Sequence, residues 1–291
     1  MENIQLFQGD CLEIMDKLIK QGVKVDAIIT DPPYQTTACN WDSIIPFDEM
    51  WKRLNLLIKD NGAIVLFGTQ PFTSELIHSN IKNYKHSWVW HKKNAGNILV
   101  AKYQPLKTTE DVIVFTKNNK RVNYYPIFSN NHKDRTKEKP VTKKSDLFSG
   151  IKSGEFKHTD KNKRGDQRYP KHLIEFSNAS QRGKIHPTQK PVDLLEYLIK
   201  TYTLENEIVL DFTMGSGTTG VACLNTNRKF IGIELDEKLL SEYISSMWKD
   251  RNYLYVELNY TMLLEQYIHK MKQWKKERDN WEYDYWYDRG L

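Results

Sequence analysis

Glu207-Ile-Val-Leu-Asp211-Phe-Thr-Met-Gly215-Ser-Gly217-Thr-Thr-Gly220 is followed, a short segment later, by Phe230-Ile-Gly-Ile-Glu234. The first five residues are β-prone and end on an acid. A Gly-rich turn comes next, then a stretch that suits a helix, then a second β-prone run that also ends on an acid. That order describes a βαβ unit, two parallel strands joined by a crossover helix. Gly215, Gly217 and Gly220 satisfy G-x-G-x-x-G, with Glu234 closing the next strand. Such glycines let a ligand approach the backbone, and such a carboxylate can accept hydrogen bonds from both ribose hydroxyls of an adenosine. An adenosine-bearing ligand is therefore expected; a turn that only closes helix on strand is the alternative. The motif leaves a dinucleotide and S-adenosylmethionine (AdoMet) both open. A pyrophosphate wants the helix N-terminus, whereas AdoMet has no phosphate and needs room for its methionine arm.

The same alternation extends outward from this unit. Val25-Asp-Ala-Ile-Ile-Thr30 reads as a buried strand ending at Asp31 and two prolines. Before it, Leu12, Met15, Leu18 and Ile19 share one helical face. Gly62-Ala-Ile-Val-Leu-Phe-Gly68 is a strand bounded by glycines, and further strands are expected at Val89-Trp90 and Val112-Ile-Val-Phe115. A helix after Pro191 keeps its period through Leu194, Leu195, Leu198, Ile199 and Tyr202. Strands alternating with helices imply a mostly parallel sheet in a three-layer α/β domain.

A basic segment interrupts that domain. Residues 117–184 carry 18 Lys or Arg against 7 Asp or Glu, a net of +11 in a chain of net +6, which leaves −5 for the rest. This is the one-dimensional outline of a polyanion-binding surface; a solvated loop is the alternative. Tyr124, Tyr125, Phe128, Phe148, Phe156, Tyr169 and Phe176 are interleaved with the cations and favour a folded nucleic-acid module. Lys143, Lys144, Lys161, Lys163, Arg164, Gln167, Arg168 and Gln181 are the candidate contacts to phosphates or base edges.

Composition removes several classes. The 291 residues give room for one large domain or two smaller ones, and the 39% of apolar residues supply a core, so disorder throughout is excluded. No apolar run nears the roughly 18 residues that span a bilayer, and no signal-peptide layout opens the chain. Cys11, Cys39 and Cys223 are too few and scattered for a disulfide framework or a zinc site, and fit a reducing cytosol. His91, His132, His158 and His172 lack metal-ligand spacing, so no metal is expected. The expected protein is cytoplasmic.

Asp31-Pro32-Pro33-Tyr34, at the carboxyl end of a strand, is the sharper signal. Two prolines fix φ and remove two N–H groups, so the turn is stiff and its carbonyls are left for another partner. In an open α/β sheet, ligands bind at the carboxyl ends of strands. A carboxylate and a carbonyl there can accept both hydrogens of an exocyclic amine while Tyr34 stacks on the attached ring. The alternative is a rigid turn in which Asp31 caps the next segment.

Asp31-Pro-Pro-Tyr34, the Gly-rich turn and His186-Pro-Thr-Gln-Lys-Pro191 together resemble the AdoMet-dependent amino-methyltransferases of DNA, the adenine-N6 and cytosine-N4 family. Their order matches the β group of that family, and the resemblance spans residues 3–245. It implies a Rossmann-like AdoMet-dependent methyltransferase fold, with a catalytic half at 1–116, a target-recognition insert at 117–184 and an AdoMet-binding half at 185–245. It also implies catalytic roles for Asp31, Pro32, Pro33 and Tyr34. Asp10 and Cys11 match the motif whose acid faces the adenine of AdoMet; His186, Thr188 and Lys190 match the segment that holds the methionine arm. Asp31, Asp211, Phe212, Gly215, Ser216, Gly217, Thr218, Thr219 and Glu234 complete the implied cofactor site. Glu110-Asp-Val-Ile-Val-Phe115 resembles the strand that follows the target-base pocket. One departure is Asp211-Phe212-Thr213, where the family usually writes Asp-Pro-Phe.

The function that follows is methyl transfer from AdoMet to the N6 of an adenine flipped out of double-stranded DNA. Asp rather than Ser at position 31 favours adenine over cytosine-N4 by resemblance. A nicotinamide oxidoreductase would explain the glycines but neither Asp31-Pro-Pro-Tyr34 nor the basic insert. A DNA-binding scaffold subunit would need neither Asp31 nor Tyr34. RNA stays open as a substrate, and a cognate restriction endonuclease would be a separate chain. Residues 246–291 form an aromatic-rich extension in which Leu254, Leu258 and Met262 predict a helix from about 254 to 280. That helix would dock on the protein's own body or make a homodimer contact.

Overall fold

The computed structural model describes residues 4–35, 43–130, 167–178, 189–241 and 256–258. They fall in two compact units, residues 1–125 with 173–291, and Pro126–His172.

The first unit is a sheet flanked by helices. Its elements are β1 (Ile4–Gln8), α1 (Cys11–Lys20), β2 (Val25–Thr30), α2 (Phe47–Leu57), β3 (Ile58–Gly68), α3 (Phe72–Ser79), β4 (Tyr84–Gly96) and β5 (Lys107–Phe115). Later in the chain come β8 (Leu173–Phe176), α4 (Val192–Tyr202), β9 (Ile208–Asp211), α5 (Thr218–Asn225), β10 (Lys229–Glu234) and β11 (Val256–Leu258). The second unit contributes β6 (Ser129–Asn130) and β7 (Gln167–Arg168), an antiparallel pair, with Phe128 and Tyr169 ring centroids 4.8 Å apart.

Strand order is β11-β1-β10-β9-β2-β3-β5-β4-β8. The pairs from β11 through β3 are all parallel; β5 runs antiparallel to both β3 and β4, and β8 returns parallel to β4. The sheet is buried on both faces, so the central strands are mostly apolar: every residue of β2 is buried, Asp26 and Thr30 being its polar members. Alternate residues then serve opposite layers. Ala27, Ile29, Ala63, Val65 and Phe67 meet Leu194, Leu198 and Tyr202 of α4, and Ala222 and Cys223 of α5. Ile28, Ile64 and Leu66 meet Met15 and Leu18 of α1, Trp51 and Leu54 of α2, and Leu76 of α3. The three-layer, mostly parallel α/β arrangement is thus the one expected.

Two differences stand out. The 117–184 stretch contains a strand of the main sheet, β8, which the sequence pattern hid because Leu173 is exposed and only Ile174 is buried. In the C-terminal extension, Val256-Glu-Leu258 is an edge strand paired with β1, where a helix from about 254 was expected. An open sheet edge offers a row of unpaired N–H and C=O groups, and that demand overrides helical spacing. The rest of the expected helix lies outside the described residues. No helix among the described residues is long and apolar enough to cross a membrane.

The connections place the site. β2 proceeds to β3 on one side of the sheet, while β9 proceeds to β10 on the other, and β2 and β9 are direct neighbours. Their carboxyl ends therefore diverge into a crevice, the topological switch point where open α/β sheets bind ligands. Helix α4 packs behind that crevice. Its Tyr202 is fully buried, its hydroxyl accepting from Trp88 Nε1 at 2.6 Å and lying 2.8 Å from His86 Nε2. That anchor fixes the helix directly after Lys190 and Pro191.

Candidate active site

An open cleft of about 880 Å³ lies at this switch point. Most of the expected residues that fall in the described part of the chain line it: Asp10, Cys11, Asp31 to Tyr34, Lys190, Asp211, Phe212, Gly215, Ser216, Thr218, Thr219 and Glu234. Gly217 stands at the N-terminus of α5 with φ 73°, and Gly215 has φ 52°. Both φ values lie where a glycine avoids the cost other residues bear. A Cβ added at Gly215 would meet nothing within 4 Å, so this turn borders open space.

The wall beyond that turn is built on Glu234 at the end of β10. Its Oε2 accepts from Gly215 N at 2.8 Å and its Oε1 from Asp236 N at 2.8 Å. A carboxylate has about four acceptor positions, so capacity remains for two ribose hydroxyls. Burial pushes its pKa above the usual glutamate value, against the pull of the Asp236 and Gly215 N–H donors. Gly9 N donates to Glu234 O at 2.9 Å, which brings the β1–α1 turn to the same wall. There Asp10 Oδ1 caps α1 through Leu12 N (2.9 Å) and Glu13 N (3.1 Å). The Cys11 thiol is pushed up to about 12 by burial and by Asp10. It therefore acts as packing and not as a nucleophile. Phe212 is buried among core residues while also bordering the cleft.

One carboxylate joins the two diverging strands. Asp211 is buried at the end of β9; its Oδ1 accepts from Thr30 Oγ1 at 2.5 Å and Thr213 N at 3.2 Å, its Oδ2 from Thr219 Oγ1 at 2.6 Å. Burial pushes its pKa to about 6, against the pull of those donors. Thr30 Oγ1 lies 2.7 Å from Thr213 Oγ1, which donates to the carbonyl of Asp31 at 3.2 Å. The Asp31–Tyr34 turn and the Gly-rich turn are thereby one hydrogen-bonded unit.

Asp31 sits inside a second, charged network. Its Oδ1 accepts from Tyr34 OH and its Oδ2 pairs with Lys190 Nζ. Lys190 Nζ is also 3.4 Å from Glu110 Oε2 and 5.1 Å from the Phe67 ring centroid. Glu110, at the cleft end of β5, pairs in turn with Lys92 of β4. Burial alone would strip the proton from Lys190, but Asp31 and Glu110 outweigh it and hold its pKa above the ordinary lysine value. Burial would likewise protonate Glu110; Lys190 and Lys92 outweigh that and hold its pKa below the usual value. Lys190 and Glu110 are therefore both charged at neutral pH. The Tyr34 ring leans on Phe72 at 4.8 Å.

Lys190 was expected to hold the methionine arm of AdoMet; here its ammonium is bonded to Asp31. Lys92 carried no motif. Its position shows only once β4 and β5 are paired, with Trp90 opposite Glu110. His186, Thr188, Gln181, Lys143, Lys144, Lys161, Lys163 and Arg164 lie outside the described residues. Gln167 and Arg168 are exposed on β7 of the second unit.

The family model described as DNA methylase, that of the N6 and N4 methyltransferases, matches residues 25–245. The chain belongs to this family. It is a DNA methyltransferase. Among its relatives is the Type II methyltransferase M1.MboII of Moraxella bovis, 27% identical over 263 residues, covering 83% of this chain and 95% of that protein. Its fold resembles that in the M1.HpyAVI–SAM complex, with TM-score 0.54 and 26% identity over 84% of this chain and 98% of that one. The cytosine-N4-specific PvuII DNA methyltransferase shares the fold alone: TM-score 0.56 and 16% identity, covering 88% and 95% of the two chains. A nicotinamide oxidoreductase is set aside.

Lys190→Met tests the charged network of the methylase. Without the ammonium, Glu110 loses one of the two cations that hold its pKa down and retains a proton to higher pH. The acidic limb of the kcat–pH profile should move up by roughly one unit or more, with AdoMet affinity little altered. An unshifted profile would show that Lys190 does not govern the charge state of the site.

Proposed function

We propose that this methylase transfers the methyl group of AdoMet to the N6 of an adenine flipped out of double-stranded DNA. The observation that carries the reading is Asp31, held at the end of β2 in the same cleft as the Glu234 wall. AdoMet is the methyl donor: when bound it would supply a methyl on a sulfonium, the amine nitrogen forming the N–CH3 bond as the S–CH3 bond breaks, with the sulfur left as a neutral thioether and one amine proton passing to the acceptors that hold it or to water. Glu234 would accept its ribose hydroxyls, and the turn at Gly215 leaves the open space such a ligand needs.

The protein's own work is on the nitrogen. An exocyclic amine is a poor nucleophile because its lone pair is delocalised into the ring. Accepting both N–H bonds at Asp31 and at the carbonyl of Pro32 or Pro33 draws that nitrogen toward sp³ and frees the lone pair. The Asp31 carbonyl is already engaged by Thr213, which leaves the proline carbonyls for this task. The amine takes the position on Asp31 now held by the Tyr34 hydroxyl, and the released Tyr34 ring stacks on the base. Lys190 keeps Asp31 oriented throughout. An oriented encounter of this kind can supply roughly 7–11 kcal/mol of the barrier.

Adenine is preferred over cytosine-N4 because position 31 is Asp and not Ser, a preference that rests on family resemblance. The fold does not discriminate, since a cytosine-N4 enzyme shares it. A restriction-modification role belongs to the same proposal, on the strength of the Type II relative. Incubation with AdoMet and unmethylated DNA, followed by nucleoside mass spectrometry, should yield N6-methyladenine. N4-methylcytosine alone would overturn the choice of base, and methylation of RNA alone the choice of polymer. Asp31→Asn should lose at least about tenfold in rate, the equivalent of about 1.4 kcal/mol, while AdoMet binds as before. A variant that keeps its rate would make Asp31 structural.

The recognition region at 117–184 is proposed on its net charge of +11. Neutralising Lys143, Lys144, Lys161, Lys163 and Arg164 together should raise the DNA KM. It should also flatten the fall of log affinity with log salt by roughly 0.9 for each phosphate that is no longer neutralised. An unchanged slope would mean that the phosphates are held elsewhere.

A further inference from the structure

The hairpin joining β4 to β5 has no part in the cofactor wall or the charged network. Its connection begins at Asn97, whose backbone is left-handed with φ 55°, and continues through a single 3-10 turn at Ile98–Val100. Asn97 closes the neck: its Oδ1 accepts from Lys107 N at 2.7 Å and its Nδ2 donates to Pro105 O at 3.4 Å. The neck is therefore fixed, yet the tip turns apolar side chains to water. Tyr103 is 87% exposed, Ile98 71% and Leu106 44%. Single exposed apolar residues are ordinary, but three on one short loop mark a contact surface.

Location and charge name the partner. Gly96, Asn97 and Lys107 line the same cleft as Asp31 and Tyr34, so the tip stands at the mouth of the catalytic site. Lys93, Lys102 and Lys107 are exposed around it, and no acid occurs from Lys92 to Thr109. Cations flanking an apolar tip suit a duplex, whose phosphates lie outside and whose stacked bases lie within. A protein partner would give the cations no such reason to flank the tip.

We propose that residues 97–106 form a wedge that enters the DNA duplex at the target pair. Tyr103 and Ile98 fill the space left by the departing base, and Lys93, Lys102 and Lys107 hold the neighbouring phosphates. The proposal rests on the flipped-base reading given above. Extraction of a base loses its stacking and pairing. An apolar or aromatic side chain stacked in the vacated place offsets that loss and holds the base out. The wedge thereby acts on extraction and not on methyl transfer itself.

The test begins with the parent enzyme, AdoMet and unmethylated plasmid DNA, sequenced to locate the methylated base. A synthetic duplex carrying that site is then made in two forms, fully paired and with an abasic residue opposite the target. The double variant Ile98→Ser, Tyr103→Ser should lose about tenfold or more in methylation rate on the paired duplex. On the abasic duplex, where little pairing is left to break, it should stay within about twofold of the parent. Unchanged AdoMet binding by calorimetry shows that the variant is folded, and Tyr103→Phe, which keeps the ring, should fall between variant and parent or match the parent. Equal losses on both duplexes would overturn the wedge, making the loop an ordinary binding or structural element; no loss on the paired duplex would overturn it as well. A parent that methylates both duplexes at one rate meets no extraction cost, and then the flipped-base reading fails and the wedge with it.

Discussion

The site depends on the buried carboxylate of Asp211, which accepts from Thr30, Thr213 and Thr219 across the line where two strands part. β9 carries the chain toward the Gly-rich turn and β2 toward the Asp31–Tyr34 turn, and nothing in the backbone pairing extends past their last residues. Without a bond across that line, each turn would be positioned by its own strand alone. Thr30 and Thr213 extend the bond to the carbonyl of Asp31, so both turns share one frame. The three donors offset part of the desolvation of this buried carboxylate; the loss of one donor costs roughly 1–3 kcal/mol.

The charged network does for the carboxylate of Asp31 what the threonines do for its backbone. Lys190 comes from the segment just before α4, Glu110 from β5 and Lys92 from β4, so three separate parts of the chain fix one side chain. Buried ion pairs contribute little to stability on average, because desolvation offsets their attraction. Their value here is orientation: the cation fixes the position of the Asp31 carboxylate in the cleft.

Much of this is legible in the sequence. β2, β9 and β10 can be read because strands buried on both faces are apolar throughout, and α4 because Leu194, Leu198 and Tyr202 keep a helical period. Asp31-Pro-Pro-Tyr34 and the glycine turn can be located because prolines and glycines constrain the backbone directly. What escapes are features that arise from pairing at a distance. β8 has one buried residue and no motif, and β11 lies where helical spacing points the other way. Lys92 and Glu110 become partners only through the register of β4 on β5, and Lys190 reaches Asp31 from 159 positions away in the chain. The exposed loop at 97–106 escapes for a related reason: its charge is small beside that of residues 117–184, and its exposure is a three-dimensional fact.

The most direct measurement is the steady-state methylation kinetics of Thr30→Val, a nearly isosteric change that removes only the hydroxyl bridging Asp211 and Thr213. If the two turns depend on that bridge, kcat/KM for AdoMet should fall by about 5- to 30-fold, the equivalent of roughly 1–2 kcal/mol. A value within about twofold of the parent would contradict the coupling and leave the two turns independently placed.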